Sequence, residues 1–136
     1  MTYTQPDAIA AIGRAIQTEQ NYVFAAGLAG AFLRGAGRRR AVNQLAEHQA
    51  RLQANAALVA PSDVPATPPG FTPEPLITNP KTARSALAAL SNALVGVYAD
   101  VASVTEGADR ATAIAWAQAS ARDAVRWGAT SQAFPT

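Results

Sequence analysis

The sequence predicts an all-α fold, a four-helix bundle with a long proline-rich crossover between helices 2 and 3. Three observations carry that prediction. Apolar residues recur every three or four positions on both sides of one connection, the spacing of amphipathic helices. Seven of the nine prolines fall between Pro61 and Pro80, where they exclude helix. The chain has 136 residues, 49% apolar and 15% charged, enough for one core and one domain spanning 1–136.

Helix 1 is expected over about 6–35. Ile9, Ile12, Ile16, Glu19, Val23, Ala26, Gly30 and Leu33 line one face. A polar cap before Pro6, with Asp7 in the first turn, suits the positive end of the helix dipole. Gly35 and Gly37 mark the helix end and the turn. Helix 2, about 38–60, repeats the spacing with Ala41, Leu45, His48, Leu52, Asn55 and Val59, so two polar residues lie on its inner face.

The crossover occupies 61–79, and Asn79 before Pro80 is a start signal for helix 3. Leu87, Leu90, Leu94, Val97, Val101 and Val104 give helix 3, about 80–104, the most regular apolar stripe in the chain. Thr105, Glu106 and Gly107 form a short turn into helix 4, about 108–131. Two faces compete there for the bundle axis: Ile114, Ala117, Ala121, Ala124 and Gly128, or Trp116, Ser120, Asp123 and Trp127.

A helix of about 23 residues spans roughly 35 Å, and a proline-rich segment of about 20 residues reaches roughly 60 Å. The crossover is therefore long enough to leave helices 2 and 3 parallel. That is the connectivity of ferritin-like bundles.

Composition narrows function. Eleven basic and nine acidic residues leave a formal charge of +2, too small a surplus to imply nucleic acid. The absence of cysteine removes thiolate chemistry, disulfides and cysteine-based metal sites. The N-terminus lacks a basic start followed by an apolar run, and the longest apolar stretch, Val23 to Leu33, is about half a membrane span. The expectation is a cytoplasmic protein with no membrane and no nucleic-acid partner.

Glu19 is the feature that asks for chemistry. A carboxylate on an apolar stripe needs a partner, a metal ion or a proton. Counting from the turn between helices 1 and 2 sets Glu19 roughly level with 49–58, one or two turns beyond His48. The structural reading is a buried hydrogen-bonded cluster of Glu19 and His48 with Tyr22, Arg51, Tyr98 or Asp123 that fixes helix register.

The chemical reading is a single iron or manganese ion held by Glu19, Glu47, His48 and Asp123. Carboxylate-bridged two-metal bundles use a Glu-x-x-His pair on each of two helices. Position 50 is alanine and His48 is the sole histidine, so that site is not encoded. The third reading is a small-molecule pocket built from the same residues.

Arg34, Arg38, Arg39 and Arg40 at the first turn read as a solvated cluster or as a site for phosphate or an acidic partner. Trp116, Trp127 and Phe134 read as core or interface anchors. Ala26, Gly27, Gly30 and Ala31 allow close helix packing, within the subunit or across a dimer.

The segments QTEQNYVFAAG, LAEHQARLQA, ALSNALVGVYADV and ARDAVRWGATSQAFP, in this order and with the crossover between the second and third, resemble the ferritin-like domain family of unknown function found in high-GC actinobacteria. The resemblance covers nearly the whole chain and implies a ferritin-like bundle. Glu19, Tyr22, His48, Arg51, Tyr98, Asp123 and Trp127 fall at positions similar to the family pattern. Helix 3 departs from it at Ser91 and Asn92, where an acidic residue is expected. The function expected overall is a non-enzymatic, metal-free, self-associating accessory bundle with no cofactor, most simply a dimer, without a complete di-iron site. A degenerate metal-binding protein or oxidase and a ligand-binding bundle are the alternatives.

Overall fold

The computed structural model describes residues 2–129 and contains four long helices: α1 (Pro6–Phe32), α2 (Gly35–Ala56), α3 (Pro80–Val104) and α4 (Gly107–Arg126). No strand occurs among the described residues. The crossover holds one 3₁₀ turn, Pro61–Asp63.

Two helix ends differ from the sequence expectation for a shared reason. α1 ends at Phe32 rather than near 35, and α2 starts at Gly35 rather than 38, because the connection needs only two extended residues, Leu33 and Arg34. Gly35 then takes φ +57, the left-handed region glycine enters without a Cβ clash. The turn between α3 and α4 repeats this device, with Thr105 and Glu106 extended and Gly107 at φ +57. α2 stops at Ala56 rather than 60, and α4 stops at Arg126 rather than 131. Phe134 lies outside the described residues.

α3 begins where Asn79 and Pro80 indicate. Asn79 Oδ1 accepts from Thr82 N at 2.9 Å, while Thr82 Oγ1 accepts from Asn79 N at 3.1 Å, a reciprocal capping box. Gln5, ahead of Pro6, makes no side-chain cap.

Tyr3 pins the helix ends and fixes the topology. Its N–H donates to Leu58 O at 2.8 Å, its hydroxyl donates to Asp109 Oδ2 at 2.8 Å, and the same oxygen accepts from Glu106 N at 3.2 Å. The start of α1, the exit of α2, the end of α3 and the start of α4 therefore share one end of the bundle. α2 and α3 run parallel, and the crossover climbs beside α1, where Gln20 Nε2 meets Thr67 Oγ1 at 3.3 Å.

The core is built mainly on α1 and α3, with Ile12, Ile16, Tyr22, Leu87, Leu94 and Tyr98 fully enclosed. By length and mean hydropathy (1.5 over an 18-residue window) α3 is also apolar enough to cross a membrane, a feature the sequence reading assigned to no segment. Here it packs on α1 and α4. The extensive helix interfaces are α1 with α2, α1 with α3, and α3 with α4. The backbones of α2 and α4 stay apart, so the fourth side of the bundle is a cleft. On α4 the stripe facing inward carries Ser120, Asp123 and Trp127, together with Ala113 and Ala124, whereas Ile114 is 46% exposed. A tryptophan with a paired indole N–H buries more area than an Ile/Ala face, and that decides the rotation of the helix.

Candidate functional site

On α2, Gln44, His48, Arg51 and Asn55 step by four, three and four residues and thus form one face. All four are buried. Neutral helix-forming alanines and exposed polar residues between them keep the turn regular while this face points inward. Of the four, Gln44 is one that the sequence does not single out, and Asn55 occupies the inner face that the spacing predicts.

Glu19 and His48 meet directly. Reflection through the two-residue turn at Leu33 and Arg34 sets position 19 opposite position 48, a turn nearer than the count through a longer loop gave. His48 Nδ1 lies 2.5 Å from Glu19 Oε1, and Tyr98 OH donates to Glu19 Oε2 at 2.5 Å. Asn55 Nδ2 donates to Tyr98 OH at 3.0 Å. Both carboxylate oxygens are thus satisfied from two helices, as a buried charge requires. Tyr22 stacks on the imidazole with ring centroids 3.8 Å apart, and its hydroxyl donates to Gln44 Oε1. The same Gln44 oxygen accepts from Trp127 Nε1 at 2.8 Å. Burial, together with the Glu19 charge, raises the Tyr98 phenol above its ordinary value, and burial does the same to Tyr22.

This clamp has a consequence for the other ring nitrogen. His48 Nδ1 faces Glu19, and the other ring nitrogen, Nε2, is buried without a hydrogen-bond partner among the described residues. Exposed Glu47 and buried Asp123 lie near this ring: one ligand atom from each of Glu47, His48 and Asp123 lies within 4.8 Å of the others. Burial raises the Asp123 carboxyl, Arg51 pulls it back, and Glu47 adds to the rise. Arg126 reaches Asp123 at 3.8 Å, a long ion pair. The arrangement divides the four sequence candidates for a metal. His48, Glu47 and Asp123 converge, while Glu19 stands behind the imidazole as its hydrogen-bonded orienter.

Arg51 donates to Ser120 Oγ at 3.3 Å and lies over Trp116 at 5.5 Å. Trp116 in turn packs edge-on against Tyr98 at 5.3 Å. Ser91 Oγ, near Tyr22 on α3, is buried without a partner among the described residues. Ser120 and Ser91 carried no signal beyond their register on the α4 and α3 stripes. Of the small residues on α1, Gly27 sits 3.5 Å from Leu45 Cδ1, measured from an added Cβ. That approach lies within the subunit.

The family described as "Domain of unknown function (DUF4439)" matches residues 11–136. No match was found among proteins of curated function. The crystal structure of a conserved hypothetical protein, rv2844, from Mycobacterium tuberculosis has a similar fold, with a TM-score of 0.81 and 20% sequence identity. The similarity covers 91% of this chain and 97% of that one.

Proposed function

The chain belongs to the DUF4439 family, and we propose that it is a binding protein of ferritin-like connectivity, not a bond-making enzyme, whose polar core holds one divalent transition-metal ion. The observation that carries this reading is His48: its Nδ1 faces Glu19, its Nε2 is buried without a partner among the described residues, and the tautomer that donates Nδ1–H to Glu19 leaves Nε2 free to ligate. A ligating histidine is ordinarily oriented in this way, with the far ring nitrogen donating to a carboxylate. Glu47 and Asp123 complete a nitrogen-and-oxygen set suited to iron, manganese or zinc. The ion would supply a Lewis-acid point facing the cleft. With one histidine and no Glu-x-x-His pair, the set fits a single ion rather than a bridged pair.

The test is metal retention. Purified protein is loaded anaerobically with ferrous or manganous ion, desalted and analysed by plasma mass spectrometry beside His48→Ala. Near one ion per chain in the wild type and none in the variant is the expected result. Equal content in the two proteins, or none in either, overturns the reading. Self-association is proposed separately, through exposed Phe24 and Leu28, one turn apart on α1. Sedimentation of wild type against Phe24→Ser/Leu28→Ser decides it, a dimer for the former and a monomer for the latter.

A further inference from the structure

The cleft between α2 and α4 has a volume of about 500 Å³, within the range of sites that enclose small molecules. Its wall carries Arg39, Arg40 and Arg51 from α2 and Arg122 and Arg126 from α4, against the carboxylates of Glu47 and Asp123. That is a surplus of three positive charges on one concavity. Only part of the basic run at the first turn contributes: Arg34 and Arg38 do not line this cleft.

Arg51 separates the cleft from an ordinary solvated cluster. It is 6% exposed, and among the described residues no carboxylate lies within ion-pair distance of it. Its one side-chain hydrogen bond among the described residues, to Ser120, is long at 3.3 Å, which leaves its other N–H donors to the cleft it lines. Asp123 acts on this guanidinium only from beyond contact distance, and a buried guanidinium with no contact ion pair, its donors forked into a cavity, is the arrangement that receives a bidentate oxyanion. Arg40 is held over Trp127 at 5.3 Å, and Trp127 is itself held by Gln44. Two of the arginines are therefore braced by tryptophans before a ligand arrives, which lowers the ordering cost of binding.

We propose that the α2–α4 cleft binds a small phosphate-bearing anion, with Arg51 as its inner anchor and Arg39, Arg40 and Arg122 at its mouth. The charge surplus suits a phosphate dianion. A second cavity, of about 200 Å³ and lined by Asn55, Tyr98, Val101 and Trp116, lies on the far side of the Arg51–Trp116 contact. The arginines converge from two helices on one hollow rather than forming the track that a nucleic-acid backbone follows.

The test uses inorganic phosphate, inorganic pyrophosphate and adenosine 5′-monophosphate, titrated calorimetrically into resin-treated, metal-free protein at fixed ionic strength. One-to-one saturable binding is expected. Tighter binding of the nucleotide than of inorganic phosphate identifies an ester as the natural ligand, and tighter binding of the inorganic anions identifies free phosphate or pyrophosphate. Arg51→Met is expected to weaken binding at least tenfold. Arg39→Ala/Arg122→Ala, which alters only exposed side chains, is expected to weaken it about tenfold and decides the matter if Arg51→Met does not fold. His48→Ala retains binding, which separates this proposal from the metal reading. Absence of saturable binding by the wild type, or equal affinity in the folded arginine variants, overturns it. So does affinity for single-stranded oligonucleotides that exceeds the mononucleotide's and climbs with length, because that marks an extended surface.

Discussion

Replacing Glu19 by glutamine probes the centre of the polar core, because the two oxygens of that carboxylate accept from two other helices. Each bond, to His48 Nδ1 and to Tyr98 OH, is 2.5 Å long and buried. A hydrogen bond to a charged group contributes about 1.5–3 kcal/mol and a neutral one about 0.5–1.5 kcal/mol. Two such exchanges cost about 2–3 kcal/mol, partly offset by no longer burying a charge. Glutamine preserves the shape and offers one acceptor and one donor. The acceptor serves Tyr98, and the donor forces the imidazole into its other tautomer, with Nδ1 accepting and Nε2 protonated.

The net expectation for Glu19→Gln is about 1–3 kcal/mol of destabilisation by urea unfolding. Glu19→Ala leaves two buried donors without a partner and a cavity besides, at about 3–5 kcal/mol. In the glutamine variant the protonated Nε2 no longer ligates, so metal affinity drops about 10- to 100-fold while the fold survives. Histidine ¹⁵N shifts report the tautomer directly. If Glu19→Gln leaves both the tautomer and the metal affinity unchanged, or if Glu19→Ala costs no more than Glu74→Ala at the exposed crossover, the reasoning is wrong.

Three further outcomes follow from the same geometry. The folded state raises the Asp123 carboxyl, so it binds more protons than the unfolded chain from about pH 4 upward, and stability attributable to this group falls as pH rises through its folded pKa. In metal-free protein, Asp123→Asn removes that decline, and thermal melts from pH 4 to 7 should be flatter than those of wild type; parallel curves refute the assignment. Because the phenols of Tyr22 and Tyr98 are raised, two of the three tyrosines should ionise at 295 nm only together with alkaline unfolding, and a smooth titration of all three in folded protein argues against their burial. Asn79→Ala removes the capping box and Gly107→Ala strains a left-handed residue; each should cost about 1 kcal/mol by chemical denaturation, and neutral substitutions contradict the turn and cap geometry.

How far these features were legible in the sequence depends on what kind of force sets them. The apolar stripe of α3, the Asn79–Pro80 start and the proline-filled crossover are local signals, and they specify the helices and their connectivity. Glu19 was legible for the opposite reason, as a charge where a hydrocarbon belongs. Its register against His48 was displaced by a turn because the loop at Leu33 and Arg34 closes with two residues once Gly35 adopts positive φ. The rotation of α4 could not be read from spacing, since an Ile/Ala face and a Trp/Ser/Asp face fit the helical period equally. The bond from Trp127 to Gln44 on another helix chooses between them. The arginine cleft is split in the sequence between Arg39 and Arg40 of the basic run and isolated residues at 51, 122 and 126. Only the separation of α2 from α4 assembles it.

The central claim is that His48 Nε2 is presented, together with Glu47 and Asp123, as a single metal site. Anomalous diffraction from crystals equilibrated with manganous or zinc ion tests it most directly, because it locates the ion as well as counting it. The account predicts one anomalous peak per chain, bonded to His48 Nε2 and to at least one of the two carboxylates. Peaks confined to surface carboxylates, with His48 Nε2 bare, would contradict it.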